Sequence, residues 1–241
     1  MDRMVYLSMA GAKATLQRQE VLAHNLANVS TTGFRAELAA FRAVPVRGDG
    51  ASTRVYALES TVGYDAQQGP MQTTGRPLDV ALRGNAWLSV QSLDGTEAYT
   101  RAGSLEVGAD GQLVDIKGRP VLGDGGPITV PANAAVEIAG DGTVVATVPG
   151  QRPQNAGRLK LVTPEAPMQR GTDGLFRAAD GDLTADPNAR LQGGALEGSN
   201  VSAVETMVAM ISAARQFEHQ MKALQSAEQK EQAAAKLLTP Q

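Results

Sequence analysis

Residues 3–28 read RMVYLSMAGAKATLQRQEVLAHNLAN, and residues 202–238 read SAVETMVAMISAARQFEHQMKALQSAEQKEQAAAKLL; these two stretches decide the fold. In the first, Val5, Met9, Ala12, Leu16, Ala23 and Leu26 fall on alternating four- and three-residue steps, with Gln19 filling the remaining place. That is a heptad-like seam along a helix. Lys13, Gln17, Arg18 and Glu20 supply an opposite, polar face. The helix is expected to end around Asn25–Asn28, because Asn tolerates left-handed backbone and Ser30-Thr31-Thr32-Gly33 favours a turn. The second stretch opens with Ser202-Ala203-Val204-Glu205, a capping box with Ser at the N-cap and Glu three residues on. Val204, Val208, Ile211, Ala214, Phe217, Met221 and Leu224 then recur at helical spacing. Beyond them the apolar face thins to Ala227, Ala234, Leu237 and Leu238, with fraying expected near Pro240.

Each seam holds few large apolar residues. Burying one fully stabilises by roughly 1.5–3 kcal/mol, and an isolated helix of this length is marginal in water. Neither end is therefore expected to be stable alone. The two helices either pack on the protein's own core or pair in a coiled coil completed by other subunits.

Between them the chain changes character. Asp-Gly recurs at Asp49-Gly50, Asp94-Gly95, Asp110-Gly111, Asp124-Gly125, Asp141-Gly142, Asp173-Gly174 and Asp180-Gly181, a hairpin signal in which both residues accept positive φ. Strand-favouring runs separate several of these turns: Trp87–Gln91, Ala98–Arg101, Gln112–Ile116, Ile128–Val130, Val136–Ile138, Thr143–Val148 and Arg158–Val162. The expected architecture is α+β, with N- and C-terminal helices forming a coiled coil around a central antiparallel β-rich domain. Its parts are a helix in 1–34, an extended connector in 35–76, the β-rich domain in 77–190, a return connector in 191–201 and a second helix in 202–241.

Composition narrows the chemistry. A formal charge of −3 argues against a nucleic-acid footprint, which needs a basic face. No apolar run approaches the ~20 residues that cross a bilayer, and Met1–Ala10 lacks the apolar stretch of a cleaved secretory signal. Zero cysteine removes thiolate nucleophiles and Cys-based metal sites. His24 and His219 lie on opposite terminal helices, outside the domain that would hold a cleft, so no Ser/His/Asp set can be assembled and no metal or cofactor site is read. The carboxylates are scattered, mostly in turns, and no acid–base pair stands out. Gly123-Asp124-Gly125-Gly126 lacks a Walker lysine and leads through Pro127 toward a strand, so it reads as a turn. Arg47-Gly48-Asp49 is too short a match to carry a cell-adhesion role. Asn28-Val29-Ser30 and Asn200-Val201-Ser202 match the glycosylation sequon, but both flank helix ends, where Asn and Ser have backbone roles.

Three further blocks carry a resemblance. His24-Asn25-Leu26-Ala27-Asn28-Val29-Ser30-Thr31-Thr32-Gly33-Phe34-Arg35 resembles the N-L-A-N-x-x-T-x-G-F-[KR] signature of the bacterial flagellar rod and hook proteins. Arg76-Pro77-Leu78-Asp79-Val80-Ala81-Leu82 and Tyr99-Thr100-Arg101-Ala102-Gly103 are similar to that family's P-L-D-x-A and Y-T-R-x-G elements. Leu196-Glu197-Gly198-Ser199-Asn200-Val201, with Met207, Met210-Ile211 and Arg215-Gln216-Phe217-Glu218, is similar to L-E-x-S-N-V…M-x-x-M-I…R-x-[FY]-E. Val29 and Thr32 occupy variable positions, and Phe217 is a tolerated aromatic. Phe41-Arg42-Ala43-Val44-Pro45-Val46 and the short length resemble the proximal rod members, with the distal rod members as the alternative.

The resemblance implies a structural, non-enzymatic axial subunit that stacks helically in the basal-body rod, spans the periplasm and transmits torque. Its implied partners are copies of itself, other rod proteins and the flagellar type III export apparatus, with no membrane insertion. The implied assembly interface is Met9, Leu16, Ala23, Leu26, Val204, Val208, Ile211, Phe217, Met221 and Leu224, with Asn25, Asn28, Gly33, Phe34 and Asn200 shaping the signature turns. A β-rich peptidoglycan- or glycan-binding module is the competing class, although one Trp and four Tyr offer little stacking surface for sugars.

Overall fold

The computed structural model describes residues 3–45, 55–179 and 181–238. Val46, Asp49-Gly50, the Arg47-Gly48-Asp49 tripeptide, Asp180 and the expected fraying at Pro240 lie outside the described residues, as do the side chains of Ala234, Leu237 and Leu238. The fold is α+β: helix α1 (Arg3–Ala27), a run of short strands, then helix α2 (Ala203–Leu238). The chain divides into two compact units, one of Met1–Ala27, Glu37–Val62 and Val201–Gln241, the other of Asn28–Ala36 and Gly63–Asn200.

In the helical unit α1 packs along α2. Ser202 caps α2, accepting the Glu205 amide on Oγ at 3.4 Å and the Thr206 amide on its carbonyl at 3.0 Å. The fully buried side chains of the two helices are small or polar: Ser8, Ala14, Thr15 and Asn25 on α1, Thr206, Ala213 and Ala227 on α2. Burying the two threonine hydroxyls costs little, because Thr15 donates to the Gly11 carbonyl and Thr206 to the Ser202 carbonyl, each at 2.8 Å. Gly11 faces the amide end of the Gln220 side chain, which would lie 2.9 Å from a Cβ built there.

The stretch 35–76, expected as an extended connector, contains three strands among its described residues. Glu37–Pro45 and Val55–Tyr64 pair with each other, and Met71–Thr73 pairs with Ala195–Glu197. In sequence, Asp49-Gly50 falls between the first two, but both Leu38 and Phe41 are exposed, so clean alternation does not announce these strands. Likewise the return connector is paired: Leu191–Gly193 runs antiparallel to Val80–Leu82. These two ladders zip the ends of the β unit together.

At its centre lies a five-stranded antiparallel sheet in the order Leu161–Val162, Trp87–Gln91, Glu97–Thr100, Phe176–Arg177, Gln169–Arg170. An aliphatic core around Val80, Leu88, Leu105, Leu113 and Val144 fills one side. A smaller cluster stacks Trp87 on Phe176, with ring centres 4.7 Å apart, and on Tyr64, 5.7 Å away. Burial pushes the Tyr99 phenol well above its ordinary range, and its oxygen accepts the Leu183 amide at 2.6 Å.

The Asp-Gly pairs at 94–95, 110–111, 141–142 and 173–174 each sit between two strands, but the two residues divide the work. Glycine alone takes positive φ (Gly95 84°, Gly111 78°, Gly142 90°, Gly174 80°). The aspartate stays in ordinary backbone and accepts the amide two residues on, as Asp94 does from Thr96 and Asp141 from Thr143, both at 3.0 Å. At Asp124-Gly125 the positive φ falls one residue later, on Gly126. Two strand expectations also shift. Ile128–Val130 is reduced to an isolated bridge between Gln112 and Thr129. Arg158–Val162 is broken, because Leu159 donates to Gly142 and Lys160 to Leu122 as the chain crosses from a three-stranded sheet to the five-stranded one.

Candidate functional site

The three signature blocks meet at one buried point in the β unit. Glu197, at the end of the Ala195–Glu197 strand, places Oε1 2.7 Å from Arg35 Nη2 and Oε2 2.5 Å from Arg101 Nη2, with Arg101 Nε at 2.7 Å. All three side chains are at most 2% exposed. The Gly69 amide also donates to Oε1 at 3.0 Å. Arg101 turns its other donors onto the carbonyls of Leu82, Gly84 and Ala86 at 2.8, 3.0 and 2.6 Å, and Arg35 donates to the Gln67 carbonyl. Two guanidiniums against one carboxylate leave an excess positive charge, spread over these carbonyl oxygens. Burial pulls Arg101 below its ordinary range; Glu197 opposes that, while the neighbouring Arg35 adds to it.

Backbone fits as tightly as charge. Gly33 sits at φ 68°, its amide donates to the Glu197 carbonyl at 2.8 Å, and a Cβ there would lie 2.3 Å from the Arg101 carbonyl carbon. The left-handed residue at this turn is therefore Gly33; neither Asn25 nor Asn28 takes that conformation. Gly69 and Gly103 are equally constrained, with hypothetical Cβ atoms 2.1 Å from the Gly198 carbonyl oxygen and 1.7 Å from the Val80 carbonyl oxygen. Phe34 is buried beneath the Arg170 guanidinium, 4.3 Å from the ring centre.

The asparagines act as spare peptide groups. Asn200 accepts the Ala36 amide at 2.7 Å and donates to the carbonyls of Asp65 and Gln67 at 3.1 and 2.9 Å. Asn25, in the helical unit, exchanges two bonds with the Glu37 backbone, at 3.0 and 2.8 Å. Asn28 takes the Thr31 amide and hydroxyl on its two oxygens, both at 3.1 Å. His24 Nδ1 lies 3.1 Å from Glu37 Oε2, and His219 is exposed on α2. With both Glu197 oxygens engaged and shielded from solvent, the junction can hold chain segments but offers no reactive group to a substrate.

The ten seam residues fall into two sets. Phe217 and Leu224 are half-buried and continue the spacing of Thr206, Ala213 and Ala227 that faces α1. Leu26 is also half-buried, and Ala23 is exposed. Met9, Leu16, Val204, Val208, Ile211 and Met221 are exposed, together with Tyr6 and Met207. Within one chain the helices thus bury small and polar side chains fully, keep Phe217, Leu224 and Leu26 half-buried, and leave six of the larger apolar ones outside. Sequence reasoning missed Arg35, Arg101 and Glu197 as a group; the available signal was that each is a charged residue within two positions of a glycine inside a signature block.

A finished β unit joined in sequence to helices with bare apolar faces defines the class of assembly subunits. The family described as flagella basal body rod protein matches residues 6–35, the flagellar hook protein FlgE/F/G D1 domain matches 81–146, and the flagellar basal body rod FlgEFG protein C-terminal family matches 192–237. One member of the buried triad falls in each match. The chain is 50% identical to the flagellar basal-body rod protein FlgF of Salmonella typhimurium and 49% identical to that of Escherichia coli, covering 99% of each chain in both cases. It is 29% identical to the rod protein FlgG of Buchnera aphidicola, over 93% of this chain and 95% of that one. The chain belongs to the flagellar basal-body rod protein family. It is a structural protein of the rod.

Proposed function

We propose that this chain is a proximal rod subunit that polymerises helically through the outward stripe of its terminal helices, Met9 and Leu16 on α1 and Val204, Val208, Ile211 and Met221 on α2. The observation that carries the reading is that these side chains are exposed while Ser8, Ala14, Thr15, Thr206 and Ala213 of the same two helices are buried. A row of large apolar residues on the surface of one chain favours burial against another copy or a related rod protein. Each buried side chain adds roughly 1.5–3 kcal/mol, so repeated contacts would build a shaft stiff enough to transmit motor torque. Passage through the flagellar type III export apparatus and a position across the periplasm belong to the same reading.

The proximal position is favoured over the distal one by the relatives: 49–50% identity to two FlgF proteins against 29% to the FlgG protein above. Complementation tests it. Expression in a Salmonella strain lacking FlgF is expected to restore swimming, and expression in one lacking FlgG is not; the reverse pattern would overturn the assignment. Photo-crosslinking residues at 16 and 211 are expected to join neighbouring subunits in purified basal bodies but to give no intermolecular product in dilute chain.

A further inference from the structure

The nine residues Asn28–Ala36 belong to the β unit, although the chain on both sides of them belongs to the helical one. They are tied to the β unit by contacts remote in sequence, as a bound peptide would be. We propose that the cleft floored by Glu197 is a recognition site for a Gly-aromatic-Arg segment, filled by residues 33–35 of the same chain and able to take the same segment of a second copy. This inference goes beyond the assembly reading above and does not depend on it.

Each position of the segment is read by a different physical constraint. At Gly33 any side chain would collide with the Arg101 backbone, and φ 68° disfavours L side chains. At Phe34 the ring lies under the Arg170 guanidinium, so a flat electron-rich face is selected. At Arg35 the Glu197 carboxylate and the Gln67 carbonyl receive a planar, charged donor. Main-chain bonds hold the segment in register: Gly33 donates to Glu197, Asn200 donates to Phe34, and the Ala36 amide donates to Asn200 Oδ1. Main-chain pairing for affinity with side-chain selection for specificity is the logic of peptide-recognition sites. Tethering supplies the chain's own segment at an effective concentration on the order of millimolar, so it holds the site until something displaces it.

The test uses the full-length chain carrying Gly33→Val, which expels its own segment, and a labelled synthetic peptide of residues 28–37. Trp87 is the sole tryptophan and lies 5.8 Å from the Arg101 guanidinium, so its emission reports on the site. The peptide is expected to bind the variant saturably and to return Trp87 emission to that of the parent. A peptide carrying Arg35→Ala is expected to bind at least about tenfold more weakly, and the parent, whose site is filled, more weakly still. If Gly33→Val does not fold, the Arg35→Ala chain is read the same way. Absence of saturable binding to both chains, or equal binding of the two peptides, overturns the proposal. The second-copy arm mixes Gly33→Val with Glu197→Gln, which keeps a usable segment beside a damaged site. Sedimentation is expected to show a one-to-one complex that neither chain forms alone, whereas peptide binding without that complex overturns exchange between copies.

Discussion

The Glu197 junction and the helix pair solve opposite problems with the same chain. At the junction three charged groups are buried, every oxygen of the carboxylate is engaged, and glycines bring backbones to contact distance. In the helix pair the buried side chains are small or polar, with Phe217 and Leu224 half-buried, while Met9, Leu16, Val208 and Ile211 are exposed. The β unit is finished within one chain. The helices satisfy their backbones but leave their strongest apolar stripe unpaired. A sequence can therefore separate what is closed within the subunit from what is left exposed on it, and substitutions in the two regions should differ in kind.

The largest effect on the stability of the single chain is expected from Glu197→Ala. It leaves two guanidiniums buried without their carboxylate, a loss of about 3–5 kcal/mol. Urea unfolding followed by Trp87 emission measures it, and a loss under about 1 kcal/mol would mean the triad is a passenger. Next is Gly103→Ala, whose new Cβ would sit 1.7 Å from the Val80 carbonyl oxygen. Forcing the strands apart is expected to cost about 1–3 kcal/mol, visible as a lower urea midpoint with an unchanged slope.

The helices, their capping serine and four of the Asp-Gly hairpins were legible because each is written in residues close together along the chain. The triad was not, since Arg101 and Glu197 are 96 residues apart and only the strand ladders at the ends of the β unit bring them together. The seam shows a subtler ambiguity. Thr206, Ala213, Gln220 and Ala227 recur at heptad spacing just as the larger apolar residues do, so hydrophobic spacing alone did not separate the buried positions from exposed ones such as Val208 and Ile211. Helices approach most closely where side chains are small, in keeping with the burial of Ala213 and Ala14 while Ile211 and Leu16 stay exposed.

A smaller effect, confined to acid, is expected at Asp173. Its carboxyl is held down to about 2, first by the hydrogen bond from Arg177 and against the opposing effect of burial. Because the folded value lies below the unfolded one, near 3.8, this contribution is present above about pH 4 and is lost as pH falls through about 2. Asp173→Asn should therefore flatten the pH dependence of the urea midpoint between pH 4 and 2; an unchanged slope would show that Asp173 does not anchor this turn.

The smallest effect on the lone chain, and the sharpest test of the contrast, is expected from Ile211→Asp. Ile211 is 56% exposed, so a carboxylate there meets water and the urea midpoint should move by less than about 0.5 kcal/mol. In the assembled rod the same carboxylate would have to be buried without a partner, at a cost of several kcal/mol repeated at every copy. Motility in soft agar should then be lost while the purified variant unfolds like its parent. A variant that swims normally would remove Ile211 from the proposed interface. One that unfolds early would place Ile211 in the subunit's own core and erase the distinction between the two regions.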